Sequence, residues 1–381
     1  MLSRRQFLVG AALASAAPFV RASSDRLPPW TAGLLDIHHI STHQGDATLI
    51  VAPDGTTILI DAGATAESGP AVLEARPDAS RSAGEWIGRY VQRRLNDTGG
   101  DAIDTLLVTH LHPDHINGIP DVARMVPIRR VIDSGYPEYS YPPFEDANAS
   151  ERYVKWVREQ KKVERWQVGS NEQIRLERGA SSVPFHVRNL AGMGTVWRAG
   201  TRFDATDRPN VNACSIALRL QFGRFSYFCA GDLTSWADAG VRPNLDALTP
   251  AALAAGPVDV AVAPHHGLFD ASNSEMVRAL SARAWIISAW HASHPSISTL
   301  ERLFNPRLFA GPRDVYATGL HDAVRLTASR LTRQLASDDG HVIVRVAADG
   351  ASYRIFVTSN RDENDRLILS SPALAARGGV A

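Results

Sequence analysis

The spacing of hydrophobic and polar residues switches along the chain between the short period of strands and the longer period of helices. Residues 47–51 and 57–60 are β-branched and apolar runs joined by Pro53-Asp54-Gly55, which predicts a hairpin. Helical spacing follows at Trp86, Ile87, Tyr90, Val91 and Leu95. Residues 103–108 then form a nearly continuous apolar run, which predicts a strand buried on both faces.

The same alternation continues through the second half of the chain. Predicted strands lie at residues 131–132, 258–263 and 286–288, predicted hairpins at 215–230 and 341–357, and predicted helices at 151–162 and 275–280. No Gly-, Ser- or Pro-rich linker interrupts the pattern. The order of strands and helices therefore predicts one layered α/β domain at residues 33–358, followed by a C-terminal tail at 359–381.

The first 25 residues have the order of an export signal. Ser3-Arg4-Arg5-Gln6-Phe7-Leu8 precedes a mildly apolar stretch at residues 9–17, and no acidic residue occurs before Asp25. This order resembles a twin-arginine export signal, the alternative being a frayed basic N-terminus. We therefore expect a signal peptide at residues 1–25, export by the twin-arginine translocase, and a periplasmic or extracellular mature protein.

Composition and charge narrow the possible partners. Across 381 residues the formal net charge is +0, so bulk charge does not attract nucleic acid or an acidic membrane surface. The basic residues near residues 151–162 are interleaved with Glu151, Glu159 and Glu164, which indicates a solvated face and no strong nucleic-acid patch. Beyond the signal, no stretch approaches the ~18 apolar residues of a membrane span, so no stable membrane anchor is expected.

Side chains that bind metals concentrate at the end of the strand predicted at residues 103–108. The segment Thr109-His110-Leu111-His112-Pro113-Asp114-His115 holds three imidazoles and a carboxylate. His110 and His112 project to the same side of the strand end, while Asp114 and His115 open the next helix. Nitrogen and carboxylate ligands suit zinc, so the segment predicts a metal site, against the alternative of scattered polar loop residues.

This segment resembles the metal-binding motif of the metallo-β-lactamase fold superfamily. The surrounding order agrees, with an apolar strand and aspartate at residues 58–63, Cys229-Ala230-Gly231-Asp232 after the motif and Pro264-His265-His266-Gly267 later. The resemblance covers about residues 34–357. It implies a four-layer αββα sandwich, α/β in class, that acts as a two-metal hydrolase.

A closer likeness is carried by three short segments. Gln44-Gly45-Asp46, the His-His-Gly segment at 265–267 and His294-Pro295-Ser296 are similar to the extracellular domain of ComEC-type DNA-uptake proteins and to phosphorylcholine esterases. The likeness implies a phosphodiester substrate.

The resemblance implies that the metal is held by His110, His112, Asp114, His115, Asp232 and His266. Asp232 ends a strand, where a carboxylate can bridge two cations. Asp61 also ends a strand, and it either orients a ligand histidine or steadies its loop. Because only one of the adjacent His265 and His266 can be the late ligand, we choose His266 and expect His265 to face the substrate. His294 either donates to a leaving group or is an exposed loop side chain.

One position departs from the superfamily pattern. Many members supply another metal-binding histidine before the strand-ending Gly-Asp pair, whereas Asn212 occupies that approximate place here. The ComEC-like branch has an asparagine-rich segment there, which supports the closer likeness. The first metal would then be held by His110, His112 and bridging Asp232, with water or substrate completing its shell and Cys214 as an alternative soft ligand.

The two cysteines are not expected to pair. A hairpin that turns at Gly223 places Cys229 opposite Leu218, so Cys214 lies beyond the reach of a disulfide. Substrate recognition is expected in loops at residues 136–148 and 192–208. In the second loop, Trp197, Arg198 and Arg202 either line a cleft or pack against the core.

Together these features predict an exported zinc-dependent hydrolase that uses metal-bound hydroxide, with two zinc ions as cofactors. The expected partner is a phosphodiester or another small-molecule substrate. Two alternatives stay open: hydrolysis of a cyclic ester or amide, such as a lactone or β-lactam, and a non-catalytic metal-loaded binding module. The residues assigned to catalysis are Asp114, His265 and His294, and those assigned to ligand support or substrate contact are Asp61 and Asn212.

Overall fold

The computed structural model describes residues 25–135, 138–139, 147–204, 207, 210–236 and 242–378, with only the backbone described at 147–150. The expected signal peptide therefore lies outside the described residues, apart from Asp25. So do residues 136–137 and 140–146 of the first expected substrate loop, and residues 205, 206 and 208 of the second. None of the helices in the described part combines the length and apolar character needed to cross a bilayer.

The first sheet combines strands from the two ends of the chain. Its strands are β1 Leu35–His39, β2 Thr48–Val51, β3 Thr57–Ile60, β4 Thr105–Leu107, β5 Val131–Asp133, β6 Val163–Arg165, β15 His341–Val346, β16 Ser352–Thr358, β17 Leu367–Ser370 and β18 Leu374–Ala375. Their order is β17-β16-β15-β1-β2-β3-β4-β5-β6, and β18 pairs with β16. Strands β3 to β6 run parallel to one another, whereas β1 is antiparallel to both of its neighbours.

The second sheet is built from the middle of the chain. Its strands are β7 Phe185–Gly192, β8 Thr195–Val196, β9 Gly200–Thr201, β10 Ala217–Phe222, β11 Phe225–Cys229, β12 Val260–Val262, β13 Ala284–Ile287 and β14 Asp314–Ala317. Their order is β14-β13-β12-β11-β10-β7-β8-β9. Strands β11 to β14 are parallel, while β7, β10 and β11 form an antiparallel meander.

Helices cover the outer faces of both sheets. They are α1 Ala83–Thr98, α2 Pro113–Ile116, α3 Ile119–Met125, α4 Ala147–Arg158, α5 Leu248–Ala255, α6 Ser274–Leu280, α7 Ile297–Leu303, α8 Asp322–Thr327 and α9 Ser329–Thr332. The longest of them, α1, starts at a capping box in which the Ser82 hydroxyl accepts from the Glu85 amide and the Glu85 carboxylate accepts from the Ser82 amide. Its buried stripe includes Ile87, Val91 and Leu95.

Three apolar clusters separate the layers. The central cluster joins the inner faces of the two sheets, with Ile60 and Leu107 from the first and Leu220 and Ile286 from the second. A second cluster packs α1, α3 and α4 on the first sheet, and a third packs α5, α6 and α7 on the second. The predicted four-layer αββα sandwich is confirmed, because each sheet buries one face on the other sheet and one on helices.

The local pattern located most of these elements correctly. The predicted hairpin at residues 47–60, the strand at 103–108 and the helix at 275–280 are confirmed. The pairing of Cys229 with Leu218 is confirmed as well, and the two cysteines form no disulfide. Helix α4 begins and ends four residues earlier than the predicted 151–162. Residues 367–375, which sequence analysis assigned to a C-terminal tail, instead add strands to the first sheet, because their backbone pairs with β16.

Candidate metal centre

The side chains with metal-binding chemistry lie where parallel strands end. The loop at residues 110–115 follows β4, and Asp61 follows the neighbouring β3. In the second sheet, Asp232 follows β11, residues 265–266 follow β12 and His294 follows β13. The carboxyl ends of strands from both sheets thus supply one cluster at a single edge of the sandwich.

Four side chains offer ligand atoms that all lie within 4.8 Å of one another: Asp114, His115, Asp232 and His266. The His266 Nε2 atom lies 2.9 Å from Asp114 Oδ2 and 3.2 Å from Asp232 Oδ2. The His115 Nε2 atom lies 3.3 Å from the same Asp232 oxygen and 3.6 Å from Asp114 Oδ2. Two imidazoles and two carboxylates that converge in this way fit a divalent transition metal such as zinc.

A second group shares Asp232 with the first. His110, His112 and Asp232 also offer ligand atoms within 4.8 Å of one another. His110 Nε2 lies 3.2 Å from His112 Nδ1 and 3.7 Å from Asp232 Oδ2. Because Asp232 has two carboxylate oxygens, it is the residue that can connect two adjacent cations.

When His115 and His266 are neutral, as a metal ligand must be, the hydrogen bonds of their Nδ1 atoms leave the inward Nε2 atoms as lone-pair atoms. His115 Nδ1 donates to Asp61 Oδ2 at 2.8 Å, and His266 Nδ1 donates to the carbonyl oxygen of Ser288 at 2.9 Å. A carbonyl accepts and never donates, so the proton of neutral His266 lies on Nδ1. Both Nε2 atoms and Asp232 Oδ1 are buried without a hydrogen-bond partner among the described residues. These residues fit a bound metal, which would occupy the lone pairs that the protein leaves unused.

Carboxylates dominate the electrostatics of the four-residue group. Burial lowers the pKa of His115, but the carboxylates of Asp232 and Asp114 outweigh it and hold that pKa well above its usual value. The pKa of His266 is raised in the same way against burial, chiefly by Asp232. At His110, by contrast, burial and the charge of His115 hold the pKa well below its usual value. The negative carboxylates therefore favour positive charge within the four-residue group, and a bound divalent cation would supply it.

Two glycines allow the motif loop to approach its neighbours. A Cβ atom on Gly63 would lie 1.8 Å from the carbonyl oxygen of Asp114, and one on Gly45 would lie 2.3 Å from it. The same carbonyl accepts a hydrogen bond from the Asp46 amide at 2.8 Å. Gly45 also has a φ of +135°, a conformation that favours glycine. The backbone of Asp114 is thus fixed by close packing that side chains at these two positions would prevent.

His265 lies beside the four-residue group. Its Nδ1 atom is 2.8 Å from Asp270 Oδ1, and its Nε2 atom is 3.1 Å from Asn212 Nδ2 and 3.9 Å from Asp232 Oδ2. Burial lowers the pKa of His265, but the bond with Asp270 and the charge of Asp232 raise it above its usual value. The adjacent His265 and His266 both have positive φ, 51° and 52°, so the turn after β12 directs their rings to different partners.

A cavity of about 390 Å³ adjoins both groups, and we call it the metal-site cavity. His294 lines it and is 4% exposed, with its ring stacked on that of His266 at 4.6 Å between centroids. The exposed-loop alternative for His294 is therefore wrong. On the outer side of the cavity, His291 Nε2 lies 3.4 Å from a carboxylate oxygen of Glu67.

Residues 40–188 match a family model described as "Metallo-beta-lactamase superfamily". This part of the chain is similar to that superfamily, and the fold of the chain is the metallo-β-lactamase fold. Among curated proteins, no match was found.

The solved structures to which this chain is similar show low sequence identity and TM-scores below 0.5. CmlA, a diiron β-hydroxylase from Streptomyces venezuelae, is 15% identical over 84% of this chain with a TM-score of 0.41, and the chain spans only 55% of its length. A putative metal-dependent hydrolase from Parabacteroides distasonis is 14% identical over 74% of this chain and 92% of its own, with a TM-score of 0.39. A diphosphatase of the PhnP family is 16% identical over 81% of this chain and 96% of its own, with a TM-score of 0.32.

Within the metallo-β-lactamase fold, the chain brings together every residue that sequence analysis assigned to the site: Asp61, His110, His112, Asp114, His115, Asn212, Asp232, His265, His266 and His294. Glu67, Asp270 and His291 could not be predicted as part of the site from the sequence, because they lie in loops without a recognisable motif. It also assigned no role to Asp46, whose Oδ1 lies 3.2 Å from His266 Nδ1. The resemblance of segment 44–46 to ComEC-type proteins is the sequence feature that could have indicated Asp46.

Proposed function

We propose that this protein is a metal-dependent hydrolase with two zinc ions, acting on a phosphodiester. The observation that carries the proposal is the sharing of Asp232 between two groups of ligand atoms, each within 4.8 Å, beside a cavity of about 390 Å³. Asp114, His115, Asp232 and His266 would hold one ion, and His110, His112 and Asp232 the other. A bound zinc supplies Lewis acidity and lowers the pKa of a coordinated water.

The side chains around the ions have separate tasks. Asp61 and the Ser288 carbonyl hold His115 and His266 with their Nε2 atoms inward, which orients the lone pairs before metal arrives. Asp270 fixes His265 through Nδ1, so Nε2 is the atom at which His265 accepts or delivers a proton. His294 is buried beside the metal group, and its Nδ1 atom has no hydrogen-bond partner among the described residues. We assign it to a substrate oxygen or leaving group.

A phosphodiester suits the polar lining of the metal-site cavity. Apart from the ligands, the lining includes His265, His291 and His294 together with the hydroxyls of Thr65 and Ser293. Imidazole and hydroxyl groups donate hydrogen bonds to phosphoryl oxygens. The likeness to ComEC-type proteins and phosphorylcholine esterases, which rests on sequence segments, favours the same substrate class.

The proposal is tested by measuring metal content and turnover on the same preparation. We expect about two zinc ions per chain by inductively coupled plasma mass spectrometry, and hydrolysis of bis(p-nitrophenyl) phosphate that chelation removes and zinc restores. Asp114→Asn should lose at least 100-fold in kcat while remaining folded by circular dichroism. The matched control is Asp322→Asn, since Asp322 is exposed in the first turn of α8 and lies outside the cavity.

The other outcomes discriminate between functions. Turnover of a lactone or a chromogenic β-lactam, without turnover of the phosphodiester, would overturn the substrate class and keep the metal chemistry. Folded wild-type protein that binds zinc and hydrolyses none of these substrates would overturn the enzyme and favour a metal-loaded binding module. In that case the asparagine at position 212 would be the residue to replace with histidine.

Export by the twin-arginine translocase to the periplasm or the cell exterior is part of the same proposal, and it rests on the sequence of residues 1–25. The expected mature chain begins near the end of this 25-residue segment, which intact-mass measurement of secreted protein would show. Arg4→Lys together with Arg5→Lys should leave the protein inside the cell. Secretion of the doubly substituted chain at the wild-type level would contradict this route.

A further inference from the structure

Asp46 is a carboxylate that adjoins the metal centre without belonging to either group of ligands. It lies in the loop between β1 and β2, and its Oδ1 atom is 3.2 Å from His266 Nδ1. The other ring nitrogen of His266, Nε2, is the atom that faces Asp114 and Asp232. The Asp46 carboxylate is therefore placed behind a proposed ligand and not among the ligands.

The backbone of Asp46 holds a second proposed ligand. Its amide donates to the carbonyl oxygen of Asp114 at 2.8 Å, and its own carbonyl oxygen accepts from the Gly63 amide at 2.8 Å. Asp114 belongs to the loop that follows β4 of the first sheet, whereas His266 follows β12 of the second sheet. Asp46 thus contacts one ligand from each sheet, the first through its backbone and the second through its side chain.

The contact between Asp46 and His266 is electrostatic. The Ser288 carbonyl accepts the Nδ1 hydrogen of His266 at 2.9 Å, and Asp46 Oδ1 is buried with no hydrogen-bond partner among the described residues. The carboxylate therefore attracts the polarised N–H group of the imidazole, and this attraction is strong where water is excluded. A carboxylate behind a ligand histidine fixes the orientation of the ring and makes the opposite nitrogen a better ligand.

The two proposed metal ions differ in this kind of support. In the four-residue group, Asp61 accepts from His115 Nδ1 at 2.8 Å, and Asp46 lies behind His266. In the second group, His110 Nδ1 lies 3.1 Å from a neutral group, the hydroxyl of the preceding threonine. Removal of the Asp46 carboxylate should therefore affect the ion of the four-residue group and spare the other ion.

We infer that Asp46 is a positioning residue that ties His266 of the second sheet to Asp114 of the first before metal binds, and thereby raises the metal affinity of the four-residue group. The effect on affinity rests on the proposed function, because it concerns one of the two proposed ions. The backbone hydrogen bonds of Asp46 do not depend on its side chain. A substitution can therefore remove the carboxylate and leave the loop in place.

Zinc binding by Asp46→Asn tests this effect. We expect the four-residue group to bind zinc about 10–100-fold more weakly, measured by competition with a chromogenic chelator. After dialysis against a zinc buffer that keeps the wild type at about two ions per chain, the variant should retain about one. The absorption bands of the cobalt(II)-substituted protein, which report ligand geometry, should change as well.

Two further variants separate charge from shape. Asp46→Glu keeps the negative charge and changes the length of the side chain, whereas Asp46→Asn keeps the length and removes the charge. If the carboxylate supports His266, Asp46→Glu should bind zinc more tightly than Asp46→Asn. The matched control is Asp54→Asn, since Asp54 is a half-buried carboxylate at the other end of β2 that accepts from the Thr56 amide at 2.9 Å. It should bind zinc as the wild type.

A measurement on metal-free protein tests the contact itself. The free energy of unfolding in urea is determined after chelation for the wild type, Asp46→Asn, His266→Gln and the double variant. Because the two side chains are in contact, their effects should be non-additive, whereas Asp54→Asn and His266→Gln should be additive. This cycle does not require the protein to bind zinc or to hydrolyse any substrate.

Three results would overturn the inference. They are an Asp46→Asn variant that keeps two zinc ions with wild-type affinity, an Asp46→Glu variant that binds zinc more weakly than Asp46→Asn, and additive effects of Asp46→Asn and His266→Gln in metal-free protein. The first two results require a wild type that binds zinc, so they leave the proposed hydrolase intact. A wild type that binds no zinc would instead overturn the proposed function, while non-additive effects in metal-free protein would still support the positioning of His266 by Asp46.

Discussion

Replacing Asp61 with asparagine would test how the metal site is prepared before metal binds. Asp61 accepts from His115 Nδ1 at 2.8 Å, from the Thr109 amide at 2.8 Å and from the Thr109 hydroxyl at 2.6 Å. An asparagine can keep the bond to the Thr109 amide through Oδ1, but its Nδ2 group then opposes the proton on His115 Nδ1. His115 would relieve the conflict by moving its proton to Nε2, which removes the lone pair that faces Asp114 and Asp232.

The expected cost follows from the role of such supporting partners. Loss of a hydrogen bond that fixes a ligand histidine typically weakens metal affinity by about 10–100-fold, or about 1.4–2.8 kcal/mol. We therefore expect Asp61→Asn to weaken zinc binding by that factor, measured by competition with a chromogenic chelator. Turnover at saturating zinc should fall less than the affinity, because Asp61 does not line the metal-site cavity.

Asp104 provides a matched control for this substitution. It is also a buried carboxylate that accepts from both the amide and the hydroxyl of a threonine, Thr57, at 2.9 and 3.1 Å. Asp104→Asn should lower the free energy of unfolding and leave zinc affinity unchanged. The reasoning would be refuted if folded Asp61→Asn bound zinc within twofold of the wild type, or if both variants weakened binding equally.

Two further predictions concern stability. Burial, with the charges of Arg93 and neighbouring groups, lowers the pKa of His341 to about 3, so between that value and ~6.5 the unfolded chain binds a proton that the folded chain does not. The stability that neutral His341 contributes is therefore fully present above pH ~6.5 and is lost as the pH falls below that value. Between pH 7 and pH 5, the free energy of unfolding in urea should fall by about 2 kcal/mol more for the wild type than for His341→Gln. Equal losses in the two proteins would contradict this prediction. Gly63→Ala should destabilise the protein by about 1–3 kcal/mol and reduce zinc occupancy, because the new methyl group would displace the Asp114 backbone. An unchanged melting temperature together with unchanged zinc occupancy would contradict the close approach of Gly63 to Asp114.

The sequence was most informative where structure and chemistry are encoded in neighbouring residues. The segment 110–115 carries both a strand end and the start of α2, so its ligand residues and their approximate directions follow from local geometry. Asp232 and His266 required the order of segments along the chain, because neither residue is distinctive alone. Hairpins such as residues 47–60 were predictable for the same reason, since turn sequence and strand pattern lie side by side.

The order of strands in the two sheets could not be predicted from neighbouring residues. Strand β1 pairs with β15 some 300 residues later, with Leu35 opposite Val346. The strand propensity of each segment does not indicate which other strand it pairs with, or in what register. The strands at residues 367–375 were missed because a short exposed segment becomes a strand only when an edge such as β16 offers its backbone groups. Pairing with distant strands determines these elements, and the spacing of hydrophobic residues along the chain does not.

The histidine pair shows how far sequence reasoning reached within the site. Chain order identified residues 265–266 as the late metal-binding segment, yet the choice between the two rings depends on backbone angles in a turn where both have positive φ. That turn sends His266 towards Ser288 and the carboxylates, and sends His265 towards Asp270 and Asn212. Asn212 therefore contacts the neighbour of the proposed ligand His266, at the approximate position where many superfamily members supply a further metal-binding histidine. A substitution at position 212 would thus have two effects, one on the hydrogen bonding of His265 and one on the ligands available to the proposed first metal. Zinc affinity would report the change in ligands, and the pH dependence of turnover would report the change at His265.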